Sequence, residues 1–216
     1  IGRQAKEASR YVSQLSTNSK NEILWSAAEN LLINKDIILK ANELDIKENK
    51  DKLNSATLDR LILDEKRIES ISNGLEEISK LEDPVGKIIE NWSRPNGLKI
   101  EKISIPLGVI GVIYESRPNV SADAAGLCLK SGNAIILRGG SESFHSSSKI
   151  VEIINSTYEN FKLPVGVLQY IPTKDRSAVG HLLRMDNFVD VIIPRGGRSL
   201  IERVINESKV HVIRHL

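Results

Sequence analysis

Apolar residues along this 216-residue chain follow one rhythm up to about Leu81 and another from Leu107 onward. In the first part Ile23, Leu24, Ala27, Ala28, Leu31 and Leu32 recur three or four positions apart amid Lys, Glu and Asn. That spacing lines one face of a helix, so residues 1–82 are read as an N-terminal helical segment. Further helices are expected around Lys35–Asn49 and Leu58–Ser79, with a local break at Asn73-Gly74. The charge run Lys47–Lys52 reads as a solvated helix end, and no catalytic constellation is legible in this part.

From Asp83-Pro84 to Pro106 the texture changes. Asn96-Gly97 is a strong turn signal, and Leu98, Ile100, Ile103 and Ile105 stand among charged and polar residues, as in an exposed strand or hairpin. A β arm over residues 92–106 is therefore expected. It forms either a sheet edge within the domain or a strand donated to a neighbouring subunit.

From residue 107 to 216 short apolar runs alternate with helix-period segments. Strands are expected at Gly108–Tyr114, Ala134–Leu137, Val167–Ile171, Val189–Ile193 and Val210–Arg214. Helices are expected at Val120–Lys130, about Glu142–Asn160, about Lys174–Asp186 and Arg198–Ser208. Strands apolar on both faces and joined by helical crossovers predict an α/β fold, a parallel sheet with helices on both faces and ligands beyond the strands' carboxyl ends.

Composition narrows the function classes. A net charge of +2 gives no global basic field, which argues against nucleic acid as a partner. The single Cys128 excludes an intrachain disulfide framework and a cysteine-rich zinc site and points to a reducing, cytoplasmic setting. No apolar stretch reaches membrane-spanning length, and the N-terminus lacks a signal-peptide pattern. A chain that starts at Ile1 is expected to be part of a longer translation product.

Three strand ends carry candidate chemistry. At Arg138-Gly139-Gly140-Ser141, backbone amides and a hydroxyl offer a phosphate grip and Arg138 a guanidinium fork; the alternative is a tight turn in which glycine fits positive φ. Arg195-Gly196-Gly197-Arg198-Ser199 repeats the order of strand, Arg-Gly-Gly, hydroxyl and helix. A pyrophosphate at that helix start with an arginine on a 2′-phosphate suits NADP better than NAD. At Glu115-Ser116-Arg117-Pro118-Asn119 the alternatives are a helix cap with a salt bridge, or Asn119 as an oxyanion donor, since an amide stabilises developing charge without changing protonation.

These residues carry a resemblance. The blocks Pro106–Val120, Leu129–Glu142 and Val191–Gly197 together resemble the γ-glutamyl phosphate reductase (glutamate-5-semialdehyde dehydrogenase) family, the proline-biosynthesis branch of the aldehyde dehydrogenase superfamily. The blocks fall between Pro106 and Gly197, in the order of that family's N-terminal portion. The resemblance implies an aldehyde-dehydrogenase-like Rossmann-type domain over residues 1–216. It also implies a reaction in which a thiolate attacks L-glutamyl 5-phosphate, phosphate leaves and NADPH reduces the thioester to the semialdehyde. Asn119 stands where an oxyanion-holding asparagine is found, and Arg138 where a basic residue lies near the adenine ribose. Ser116, Arg117, Gly139, Gly140, Ser141, Arg195, Gly196, Gly197 and Ser199 complete the expected cofactor site. Implied partners are the small-molecule substrate, a second subunit through the β arm, and glutamate 5-kinase.

One departure matters. The family's nucleophile lies in a Gly-x-Cys-His segment expected beyond Leu216, together with the catalytic domain, so this chain alone is expected to be inactive. Cys128, mid-helix among apolar neighbours, reads as a packing residue. His211 and His215 share a strand face without a third ligand, and His145 and His181 lack a recognisable partner, so no metal is expected. Two rivals remain: a non-catalytic nucleotide- or phosphate-binding module, or an aldehyde dehydrogenase with another substrate. A reading frame that continues into Gly-x-Cys-His favours the enzyme, and one that stops at Leu216 favours the binding module.

Overall fold

The computed structural model describes residues 1–214. Five helices come first: α1 (Gly2–Val12), α2 (Thr17–Ile33), α3 (Lys35–Asn49), α4 (Ser55–Leu61) and α5 (Glu65–Lys80). Three of them start on side-chain caps, with Ser16, Asn54 and Asp64 accepting from the amides of Ser19, Thr57 and Arg67. The single helix expected over Leu58–Ser79 is two, because Ile62 is extended (φ −62°, ψ 132°) and Asp64 caps a fresh start. The break expected at Asn73-Gly74 is absent. Helix α5 runs through it with Ile71, Leu75 and Ile78 buried, and that packing outweighs a glycine cost of about 1 kcal/mol.

The arm is a hairpin of β1 (Ile88–Ser93) and β2 (Lys99–Ile103), a separate two-stranded antiparallel sheet. Gly97, at φ +85°, takes the left-handed position of the turn. Residues 92–106 cover only its second half; the first strand begins at Ile88, and all six of its residues are exposed.

The core sheet contains β3 (Val109–Tyr114), β4 (Ala134–Arg138), β5 (Leu168–Tyr170), β6 (Val191–Arg195) and β7 (His211–Val212). Its order is β5-β4-β3-β6-β7 and every pairing is parallel. Helices α6 (Val120–Lys130), α7 (Phe144–Asn160), α8 (Ser177–Leu182) and α9 (Arg198–Glu207) make the crossovers. Alternation along β3 feeds two cores: Ile110, Val112 and Tyr114 pack on the side of α2, α5, α6 and α7, while Val109 and Ile113 pack with Val179, Leu182 and Val204 of α8 and α9. This is the expected α/β fold with helices on both faces, and among the described residues no helix is long and apolar enough to cross a membrane.

Two boundaries shift where it matters. Strand β6 spans Val191–Arg195 rather than Val189–Ile193, so Arg195 ends the strand instead of opening the turn. Pro194 is tolerated there because β7 pairs only with Val191 and Ile192, leaving that side of the proline without a ladder partner. Helix α8 is six residues, not the thirteen-residue span expected from Lys174 to Asp186, and residues 172–176 form a loop beside β4. The chain adds β4 and β5 on one side of β3, then crosses to add β6 and β7 on the other. Strand order therefore reverses between β3 and β6, and a crevice opens at their carboxyl ends.

Candidate functional site

Sheet register brings the three sequence motifs to one edge. Ile113 pairs with Arg138 and Tyr114 with Arg195, so both Arg-Gly-Gly turns leave the sheet level with the Glu115–Asn119 segment. Three adjoining cavities run along this edge. A cavity of about 310 Å³ is lined by Glu115, Ser116, Arg117, Arg195, Gly196 and Gly197. Another of about 450 Å³ lies between the turns, with Arg138, Gly140 and Ser141 on one wall and Ser199, Leu200 and Arg203 on the other. A third of about 340 Å³ holds Arg117, Asn119 and Asp123. Every residue expected in the site lines one of these except Gly139.

The two turns differ in detail. Neither uses positive φ, so the tight-turn reading of the glycines does not hold. Close approach is what requires them. A Cβ on Gly139 would meet the Tyr114 ring at 3.0 Å and the Tyr170 hydroxyl at 3.1 Å, and one on Gly140 would meet the Glu115 backbone carbon at 3.1 Å. Arg138 is 5% exposed: its guanidinium donates to the carbonyl oxygens of Gly139, Lys174 and Asp175, and its Nε has no partner. Ser141 opens a 3₁₀ turn (Ser141–Ser143), and its hydroxyl donates to Glu142 Oε1 at 3.1 Å.

At the second turn Arg195, Gly196, Gly197 and Ser199 are exposed. Gly197 caps α9, and its amide donates to Glu115 Oε2 at 2.9 Å. A carboxylate of the protein thus sits where the helix N-terminus favours negative charge. The side chains of Arg117, Arg176 and Arg195 make no hydrogen bond or ion pair among the described residues, which leaves them free for an anion. Free cations beside a helix start fit a dinucleotide phosphate group, and Glu115 competes with it for the Gly197 amide.

The Glu115–Asn119 segment resolves its own alternatives. Asn119 stands at the N-cap of α6 but caps no amide; its Nδ2 donates to Asp123 Oδ2 at 2.9 Å. Burial pushes the Asp123 carboxyl above its ordinary pKa, opposed by the Asn119 hydrogen bond and the positive field of Arg195. Ser116 is buried at 7% exposure beneath the loop. Arg117 forms no salt bridge among the described residues, so the cap-and-salt-bridge reading fails here.

Cys128 lies in α6 with its thiol pushed up to about 12 by burial, as a packing residue should. His145 Nε2 lies 3.2 Å from Glu48 Oε1 and 3.3 Å from Lys174 Nζ. His211 is in β7, while His215 lies outside the described residues. No group of three metal-ligating side chains occurs among the described residues.

Sequence reasoning missed several residues of this edge. Glu115 sat inside a quoted motif, and Asp123 is four residues from Asn119, one helical turn away. Thr57 and Arg60 had no signal in the sequence: α4 carries both to the cavity wall.

Comparison with known proteins gives the chain its relatives. A family model described as the aldehyde dehydrogenase family matches residues 1–216. The γ-glutamyl phosphate reductases of Halothermothrix orenii and Paramagnetospirillum magneticum are 53% and 50% identical over 98% and 100% of this chain. The chain spans about half the length of these curated relatives, 51% in both cases. The crystal structure of γ-glutamyl phosphate reductase from Thermotoga maritima superposes with a TM-score of 0.95 at 36% identity, over 98% of this chain and 51% of that one. An acetylating aldehyde dehydrogenase from Geobacillus thermoglucosidasius, 16% identical, shares the fold with a TM-score of 0.73 over 98% of this chain and 44% of that one.

Proposed function

The chain belongs to the aldehyde dehydrogenase family, and on that premise we propose that it is the cofactor-binding half of an NADPH-dependent enzyme of proline biosynthesis. The reaction converts L-glutamyl 5-phosphate, NADPH and a proton to L-glutamate 5-semialdehyde, NADP and phosphate. Relatives with this activity in their names support the reading. The observation that carries it is the sheet register, because it aligns two phosphate-type turns and a side-chain amide at the strand-order reversal.

The described side chains have roles in this proposal. Arg117 and Arg195 attract the phosphates of the dinucleotide, and the amides at the start of α9 bind them in place of Glu115. Gly140, Gly196 and Gly197 let the backbone come close, Gly139 makes room for the Tyr114 and Tyr170 side chains behind the turn, Ser116, Ser141 and Ser199 offer hydroxyls, and Arg138 fixes the loop that shapes the ribose end. NADPH, when bound, supplies the hydride. Asn119 has a second Nδ2 hydrogen free of Asp123 and directs it to the oxygen that gains charge when the acyl carbon is attacked. Cys128 is buried and is not the nucleophile; the proposal places that thiol beyond Leu216.

The exposed hairpin β1–β2, with Ile88, Ile89, Trp92 and Ile103 open on its surface, supports pairing with a second subunit. Association with glutamate 5-kinase and a cytoplasmic setting belong to the same proposal. Titration of the chain with NADPH and NADH tests the cofactor assignment. Tighter binding of NADPH is expected, and tighter binding of NADH would overturn the role given to the arginines.

A further inference from the structure

The third cavity, of about 340 Å³, has a lining that the dinucleotide leaves unexplained. One wall is apolar, from Ile62, Leu63 and Ile71. Another is cationic, where Arg60 and Arg117 make no side-chain hydrogen bond or ion pair among the described residues. A third is acidic, at Asp123. Arg67, by contrast, is engaged by Asp59 and the carbonyls of Asp59 and Ile62. Burial disfavours the charge on Asp123, and the only groups opposing that are the Asn119 amide and the field of Arg195. A half-buried carboxylate on a cavity wall offers its oxygens to a cation brought into that cavity.

We propose that this cavity is the subsite for an α-amino acid head, in which Asp123 receives the α-ammonium, Arg60 the α-carboxylate, and Ile62 and Ile71 the methylenes between them and the reacting carbon. The inference deepens the reaction proposed above and rests on it. Spacing agrees with chemistry. In a five-carbon acyl chain the α-carbon lies about 4 Å from the reacting carbonyl, and Asp123 is held 2.9 Å from the amide that faces that carbonyl. A carboxylate, two unpaired arginines and apolar side chains lining one cavity match a zwitterion better than they match a phosphate, which Asp123 would repel.

The test uses the full-length enzyme that carries this chain, run in the oxidative direction with NADP and inorganic phosphate. Three aldehydes are compared: L-glutamate 5-semialdehyde, 5-oxopentanoate, which lacks the ammonium, and 4-aminobutanal, which lacks the carboxylate. The native enzyme should prefer the first over either truncated compound by roughly 30-fold or more in kcat/KM, the loss expected when a buried charge loses its partner. Asp123→Asn should collapse the ratio against 5-oxopentanoate to about 1–3 and leave the ratio against 4-aminobutanal, with partial recovery in Asp123→Glu. Arg60→Gln, on an exposed position of α4, should do the reverse. Variants that slow all three aldehydes alike, with both ratios unchanged, would mean that Asp123 and Arg60 only support Asn119 or the fold, and would overturn the subsite. A native enzyme that turns over none of the three overturns the reaction itself, and this inference with it.

Discussion

The two Arg-Gly-Gly turns are near-copies in sequence and opposites in the structure. Arg138 is sealed against three backbone carbonyls, whereas Arg195 ends its strand in solvent with no side-chain partner among the described residues. The difference comes from the neighbours. Beside β4 lies the 172–176 loop, whose carbonyls need donors, and behind it stand the rings of Tyr114 and Tyr170. Beside β6 the short β7 stops two residues after it starts and leaves the strand end open. One turn is therefore anchored into the structure, and the other is open to solvent.

The largest effect that can break this contrast is on stability. Arg138→Met should cost about 2–3 kcal/mol in urea unfolding, because it removes a buried side chain and strands the buried Gly139 carbonyl and the part-buried carbonyls of Lys174 and Asp175, while Arg195→Met should stay within about 0.5 kcal/mol. Equal losses would erase the distinction. Ligand binding should invert the order: Arg195→Met is expected to weaken NADPH binding about tenfold by isothermal titration, the loss of one charge-assisted phosphate contact.

Glycine substitutions sharpen the comparison at smaller magnitude. Gly139→Ala presses a methyl against the buried Tyr114 ring and should destabilise the chain by roughly 1–2 kcal/mol. Gly197→Ala, whose nearest contact would be Glu115 Oε1 at 3.6 Å, should be tolerated within about 0.5 kcal/mol. Removing the competing carboxylate with Glu115→Gln should tighten NADPH about two- to fivefold, the scale of a charge at a helix end. Weaker binding instead would show that Glu115 assists the ligand.

The smallest expected effect is a pH response of the loop against which Arg138 packs. Asp175 lies below the ordinary carboxylate range because the Ser177 hydroxyl and amide donate to it, with Arg138 adding a lesser positive field. A depressed folded pKa gives stability that is present above the unfolded value of about 3.9 and is lost as pH falls through the folded value. Hydrogen exchange at the Ser177 amide should accelerate over that acidic window, and Asp175→Asn should remove the response.

Much of the fold was legible from residues 107 onward because strands buried on both faces are continuous apolar runs, and β3 and β4 are buried throughout. Boundaries were less legible. The strand expected to end at Ile193 runs through Pro194 to Arg195, because whether a proline fits a strand depends on which neighbour needs its missing N–H. Helix α5 passes through Asn73-Gly74 because three buried side chains hold it, a contact no local propensity contains. In the site, Ser116, Arg117, Asn119 and the two turns were readable as chemistry at strand ends, while Thr57 and Arg60 were not, since α4 reaches that edge only through packing.

By itself the sequence determined the order of elements, the parallel α/β class and the three motifs, because periodicity and turn chemistry are local properties of the chain. The tertiary structure alone decided that Ile113 lies level with Arg138 and Tyr114 with Arg195, that one arginine is buried and its twin exposed, and that Glu115 occupies the start of α9. Those outcomes depend on which groups, distant in sequence, compete for the same carbonyls, amides and space, and that competition exists only once the sheet has closed.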